Sequence, residues 1–269
     1  MPSSFCTTCG TSLAEGAAFC SGCGSPASQG QQASTGIGNT PNYSSASVAT
    51  TTADIGRVGP YRLKQLGTAL AWTLGLGCIA QLASVVAWFS RSALMNREMD
   101  QPSSVSFQEA ADADEAVLGG LLIDFLFTVP AGVLLVIWAW AAARNLDIWG
   151  LPHRWSSKWA IGGWFVPLAN LWIPYQVVQE AWRSTAGPAT ADPATFESEG
   201  SNLVWTLSWV AFWISTLLWF GAGRIGDEEL SDLLAADRLG GTGALVGIVA
   251  SIAAIVAIRQ ISRRHDERR

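Results

Sequence analysis

The chain has 269 residues, of which 49% are hydrophobic and 14% are charged, and its mean hydropathy is +0.27. About a quarter of the residues of an ordinary soluble domain are charged, so this composition excludes that class. The formal net charge is −5, and 11 of the 21 acidic residues fall in two segments, 91–116 and 224–241. The negative net charge of the chain therefore comes from these two segments and says little about a substrate.

Two Cys-x-x-Cys pairs, separated by ten residues and each followed by glycine, predict a zinc ribbon over residues 1–25. This spacing lets two turns close four thiolates around one tetrahedral Zn²⁺, which acts as a structural cofactor. A segment of this length cannot build a hydrophobic core, so the metal supplies the folding energy. The predicted metal ligands are Cys6, Cys9, Cys20 and Cys23.

Two other readings of the cysteines are a pair of disulfides in an exported domain and a redox dithiol. The first needs a secretory signal, and residues 1–30 contain neither a basic region nor an apolar core. No Lys or Arg precedes Arg57, so the ribbon lacks the cations that nucleic-acid binding requires. We expect the ribbon to dock a protein partner, and a purely structural module is the alternative.

Residues 26–60 are rich in Ser, Thr, Ala, Gly and Gln and show no hydrophobic periodicity, which predicts a disordered linker. A flexible chain of that length has a reach of roughly 30–36 Å. The linker therefore allows the ribbon to sample the membrane surface or a neighbouring protein.

The remainder, 61–262, is predicted to be a multi-span, all-α membrane domain followed by a basic tail at 263–269. Four apolar stretches are long enough to cross a bilayer as helices, at about 66–90, 117–143, 201–223 and 241–258. A fifth stretch at 159–182 is interrupted by prolines. If it does not cross and both termini are cytoplasmic, twelve of the 16 basic residues lie in the cytoplasm, whereas a fifth crossing gives eight on each side. The positive-inside bias favours four spans.

The broken segment at 159–182 contains Pro167 and Pro174, and each proline removes one helical amide. Unpaired backbone groups at membrane depth must be buried in protein or face water. We therefore expect a re-entrant or interfacial pair of short helices on the cytoplasmic face, with the Asn170 side chain satisfying some of the freed carbonyls.

The region contains a characteristic run of residues: Arg144, Asn145, Trp159, Gly163, Trp164, Phe165, Pro167, Asn170, Pro174 and Tyr175. This run resembles the signature of the bacterial, mostly actinobacterial, membrane family catalogued as domain-of-unknown-function family 4328. The resemblance covers roughly 60–262, and many members carry an amino-terminal zinc ribbon. It implies a multi-pass protein of a bacterial plasma membrane with undetermined activity, and it supplies no catalytic residues.

Discontinuous helices in transporters expose backbone groups to substrates, but a hairpin that only braces the bundle is the favoured reading here. Asp124 is the one acidic residue well inside a span, and Arg224 is its suggested partner. For Asp124, a structural polar contact is favoured over a role in proton or ion transport. The candidate ligand-binding residues of the membrane domain are Arg144, Asn145, Asn170, Tyr175 and Asp124.

Four further features have mainly structural readings. Small residues at four-residue steps in the last span favour packing within the bundle over homodimerisation (Gly243, Gly247, Ser251). A tryptophan stripe on the third span is expected to face lipid or to pack (Trp205, Trp209, Trp213). Cys78 is expected to be a small buried hydrophobe. The arginine cluster that begins at Arg259 is expected to be attracted to anionic lipid headgroups, with topological anchoring favoured over specific lipid recognition.

The two histidines, His153 and His265, lack a nucleophile or a metal-ligand spacing around them, so no catalytic constellation is predicted. The sequence favours a non-enzymatic membrane adaptor or regulator. A small channel or transporter that uses the broken segment and Asp124 is the alternative.

Overall fold

The computed structural model describes residues 59–185, 200–226 and 229–269, which belong to one unit of the chain, Arg57–Arg269. The predicted zinc ribbon and all but the end of the predicted linker lie outside the described residues. Within them the fold is entirely helical. Its helices are α1 (Leu63–Asp100), α2 (Phe107–Trp149), α3 (Trp159–Gly162), α4 (Pro167–Asn170), α5 (Ile173–Arg183), α6 (Leu203–Ala222) and α7 (Leu230–Glu267).

Four of these helices, α1, α2, α6 and α7, are long and apolar enough to cross a membrane. The predicted four-span, all-α fold class is therefore confirmed. Helices α1 and α7 have 38 residues each and α2 has 43. At 1.5 Å per residue they are about 57–65 Å long, roughly twice the thickness of a hydrocarbon core, so their ends project beyond it.

Local sequence signals set the ends of the long helices. The Ser106 side chain accepts a hydrogen bond from the Glu109 amide at 3.2 Å and Glu109 bonds back to the Ser106 amide at 2.8 Å, forming a capping box at the start of α2. Helix α2 ends at Trp149, and the next residue, Gly150, has a left-handed φ of 65°. The Asn202 side chain caps α6 by accepting from the Trp205 amide at 2.9 Å.

The long helices alternate in direction, so two helices begin and two helices end at each end of the bundle. At one end α1 and α6 begin while α2 and α7 end, as shown by the contacts of Asn145 with Tyr61 and of Asn202 with Gln260. We call this the basic end. At the opposite, acidic end, Arg97 of α1 bonds Glu109 of α2 at 2.8 Å. Because α2 ends and α6 begins at the basic end, the chain between them makes no net crossing.

Helix α7 is the central element of the bundle and packs against α1 and α6, while α1 packs against α2. Half of its apolar stretch is buried, against 11% of that of α2. A Cβ at Gly243 would lie 2.7 Å from the Trp219 ring of α6, and one at Gly247 would lie 3.2 Å from the side chains of Gln81 and Ser215. Both glycines therefore serve close packing within this chain.

Large apolar side chains cover the outer surface of the bundle. On α2 the side chains of Leu122, Phe125 and Leu126 are each more than 60% exposed. A soluble monomer rarely exposes a continuous apolar surface of this kind, whereas lipid covers it without cost. Cys78, predicted to be a buried hydrophobe, is only partly buried and pairs with Ser251.

Candidate functional site

The segment between α2 and α6 folds as three helices, α3, α4 and α5, where the sequence predicted two. Pro167 is the first residue of α4, and Pro174 lies in the first turn of α5. At these positions the missing amide would have had no intrahelical partner and the fixed φ favours the helix. The prolines therefore start two helices and do not break one.

Helix α5 holds the segment against the bundle through one apolar face. Ile173, Val177, Val178 and Ala181 recur at helical spacing and are each less than 9% exposed. This face packs against α2 and α6, so α5 lies between the two. The segment thereby connects two spans at the basic end.

Two tryptophans of α6 satisfy backbone carbonyls of the segment. Trp205 donates its indole N–H to the Tyr175 carbonyl at 3.2 Å, and Trp209 donates to the Leu171 carbonyl at 3.3 Å. Trp209 lies about 9 Å along α6 from its first residue, so the segment extends to that depth. The predicted packing role of the stripe is correct for these two residues, but sequence reasoning missed their role as donors. The sequence feature that could have indicated this role is an indole N–H on an otherwise apolar helix face, because a buried indole N–H usually finds a hydrogen-bond acceptor.

Gln179 is the centre of a buried polar network that sequence reasoning also missed. Its Nε2 donates to the Asn202 carbonyl and the Thr206 hydroxyl, each at 3.1 Å, and to the Tyr175 hydroxyl at 3.2 Å. Its Oε1 accepts from the Asn202 amide at 2.8 Å. With Gln179 only 2% exposed, this network joins α5 to the start of α6. The candidate Tyr175 is thus a member of a structural network.

Asn145, another candidate residue, is fully buried and holds the chain just before α1. Its Oδ1 accepts from the Tyr61 amide at 2.6 Å, and its Nδ2 donates to the Tyr61 carbonyl at 3.0 Å. The Tyr61 ring packs edge-on against Trp140, with 5.2 Å between the ring centroids. Asn145 therefore fixes where α1 starts relative to α2.

The neighbouring Arg144 is half-exposed and bonds Asp147 at 3.4 Å. His153 Nε2 lies 2.9 Å from the same carboxylate, and its Nδ1 lies 2.8 Å from the Leu151 carbonyl. In the described part of the chain, no group of three or more His, Cys, Asp or Glu side chains could hold a metal ion. Asn170 was expected to bond freed carbonyls, which would require its Nδ2 as donor, and this stays a prediction; its Oδ1, an acceptor, is buried without a hydrogen-bond partner.

Asp124 lies apart from the other four candidate residues, since 20 residues of α2 separate it from Arg144, about 30 Å at helical rise. Its carboxylate accepts from the Thr128 hydroxyl at 3.4 Å and pairs with the Gln81 side chain. The suggested partner Arg224 instead places its guanidinium over the Phe220 ring, 4.4 Å from the centroid. That part of the prediction is wrong, and the five candidates form no single site.

Comparison with known families matches two segments of the chain. A model described as a domain of unknown function, DUF4328, matches residues 101–263, and a zinc-ribbon domain model matches residues 5–27, which include all four predicted metal ligands. No curated protein and no solved structure matches the chain. The metal ligands lie outside the described residues, so no geometry is assigned to them.

Proposed function

The chain belongs to the DUF4328 family, and we propose that it is a non-enzymatic membrane adaptor or regulator whose zinc ribbon docks a protein partner. In this proposal the basic end and both termini face the cytoplasm, and the ribbon binds zinc through its four cysteines. The positive-inside bias supports that orientation, because twelve of the 16 basic residues fall on the same side.

The observation that carries the proposal is the pairing of Gln179, the buried polar side chain of α5, and of two backbone carbonyls of the broken segment. Gln179 uses its amide nitrogen and its carbonyl within the chain, and the two backbone carbonyls accept from tryptophans, whereas the Asn170 Oδ1 is buried without a partner. A site for a soluble ligand would need such groups free. The segment therefore acts as a brace. In this proposal, recognition then falls to the ribbon.

Cross-linking in native membranes followed by co-purification tests the docking role. We expect the full chain to capture a specific protein, and the Cys6→Ser/Cys9→Ser variant to lose both that protein and its zinc, because half of the ligand set is gone. Cys78→Ser is the matched control, since it removes a cysteine that the ribbon does not use. Capture of the same proteins without the ribbon would refute the proposal.

A second candidate function, a small channel or transporter, is favoured by one specific observation. The Gln81 side chain pairs with Asp124, but its Oε1 is buried without a hydrogen-bond partner. Gly247 of α7 adjoins the same amide, since a Cβ at Gly247 would lie 3.2 Å from the Gln81 Nε2 and 3.3 Å from its Oε1. A carboxylate next to a free buried carbonyl oxygen is a donor set suited to a proton or a small cation.

Flux into liposomes tests this second function. Asp124→Asn should keep the fold and abolish any ion-coupled flux, because it removes the charge without changing the shape of the side chain. Asp114→Asn is the matched control, as that carboxylate is 68% exposed at the acidic end. Equal flux through both variants and the unaltered chain would exclude the ion role of Asp124.

A further inference from the structure

The start of α1 and the end of α7 line a solvent-open cavity of about 250 Å³ at the basic end of the bundle. Three of its five lining side chains are cationic and one is acidic, which leaves an excess of two positive charges. The lining residues are Arg62, Lys64, Gln65, Asp266 and Arg269. The cavity is therefore suited to an anion.

The cations of this cavity differ from the neighbouring arginines of α7. Across residues 59–185, 200–226 and 229–269, the side chains of Arg62, Lys64 and Arg269 form no ion pair. By contrast, Arg263 bonds Glu267 at 3.1 Å, and the Arg264 guanidinium stacks 3.3 Å from the centroid of the Trp182 ring. The predicted arginine cluster is thus divided, and only part of it faces the cavity.

The backbone of α1 adds to the attraction for an anion. Arg62 precedes the first residue of the helix and offers no side-chain cap. The first-turn amides of a helix have no intrahelical partner, and the helix dipole places partial positive charge there. Asn145 bonds both backbone groups of Tyr61, the residue before Arg62. The start of α1 is therefore held in place before an anion binds.

The position of the cavity indicates the source of the anion. It adjoins the start of the first span, where Tyr61 packs on Trp140, and aromatic side chains concentrate at the level of lipid headgroups. We propose that this cavity binds the phosphate of an anionic phospholipid headgroup, held by Arg62, Lys64 and Arg269. Free phosphate has the same chemistry but lacks acyl chains that the exposed apolar surface of the bundle would hold.

Equilibrium titration of the full chain in a neutral detergent tests the site. The probes are dioctanoyl phosphatidylglycerol, dioctanoyl phosphatidylcholine and inorganic phosphate. We expect Arg62→Gln/Lys64→Gln to weaken phosphatidylglycerol binding about 25-fold, since each basic residue near an anionic headgroup contributes about a factor of five. Asp266→Asn should tighten it severalfold, because the repelling charge is removed; this opposite sign cannot come from misfolding.

Arg263→Gln is the matched control, because it removes one charge from the same end without altering the lining of the cavity; it should change the Kd less than twofold. An equal loss with this control would show diffuse attraction and overturn the proposal. Binding of inorganic phosphate with no preference for phosphatidylglycerol over phosphatidylcholine would overturn the lipid as occupant. The site is independent of the ribbon, so loss of partner docking does not affect it.

Discussion

The ion pair at the acidic end provides the most direct test of how the spans are held together. Asp237 of α7 is fully buried, and Arg91 of α1 meets it with two hydrogen bonds, Nε to Oδ2 at 2.9 Å and Nη2 to Oδ1 at 2.5 Å. The same guanidinium lies 5.2 Å from the centroid of the Trp88 ring. Replacing Arg91 with Met keeps much of the packing but leaves the carboxylate buried and unpaired.

Removing one partner of a buried ion pair costs about 3–5 kcal/mol, because the remaining charge has lost its solvation and its counter-charge. We therefore expect Arg91→Met to lower the free energy of unfolding by that amount. The assay is reversible unfolding of the purified chain in mixed micelles, followed by tryptophan fluorescence. Replacing both partners, as Arg91→Met/Asp237→Leu, should recover most of the loss, since no buried charge is then left unpaired.

Asp114→Asn is the matched control, because this carboxylate also bonds Arg91, at 2.7 Å, but is 68% exposed. A surface ion pair contributes at most about 1 kcal/mol, so the control should be nearly neutral. If Arg91→Met costs no more than Asp114→Asn, or if the double variant is as unstable as the single one, the argument from burial is refuted.

Gly243→Ala should destabilise the bundle by about 1–3 kcal/mol, because its Cβ would lie 2.7 Å from an indole carbon of α6. Gly119→Ala is the control and should not destabilise it, because there is open space around Gly119. Thermal unfolding of the two variants distinguishes these outcomes. Burial raises the pKa of Glu180 in the folded state. The protonated carboxyl therefore contributes to the free energy of unfolding below about pH 4, and this contribution is lost as the pH rises through the folded-state pKa. Glu180→Gln should flatten the pH dependence of the unfolding temperature, and an unchanged slope would contradict this. An impermeant thiol reagent applied outside cells should label Asp232→Cys but not Thr190→Cys, and the reverse pattern would invert the proposed orientation.

Composition and spacing were sufficient to predict four helices that can cross a membrane, but not that α1, α2 and α7 extend well beyond the predicted spans. Each apolar stretch matches the thickness of a bilayer, and a helix in lipid must satisfy its own backbone, so length and hydropathy decide the element almost alone. The zinc ribbon could also be predicted from the cysteine pairs, since metal-ligand spacing is local in sequence. The zinc-ribbon match over residues 5–27 agrees with that assignment.

The candidate site was less accessible from sequence. Asn145 and Tyr175 were singled out, but their partners Tyr61 and Thr206 are 84 and 31 residues away along the chain. Gln179 was not singled out, because nothing local in the sequence distinguishes a buried glutamine that bonds the start of α6 from one on a surface. The partner suggested for Asp124 was wrong for the same reason: rotation of a helix about its axis decides which side chains meet.

The sequence by itself determined that this chain has four apolar helices, a proline-containing segment between the second and third, and a cysteine quartet ahead of them. Only the tertiary structure decided that the prolines begin two short helices, that Trp205 and Trp209 satisfy the segment, and that Arg62 and Arg269 share one cavity. The physical reason is the range of the interactions. Burial of an apolar helix depends on neighbouring residues, whereas pairing of a polar group depends on which distant group the packing brings within about 3 Å.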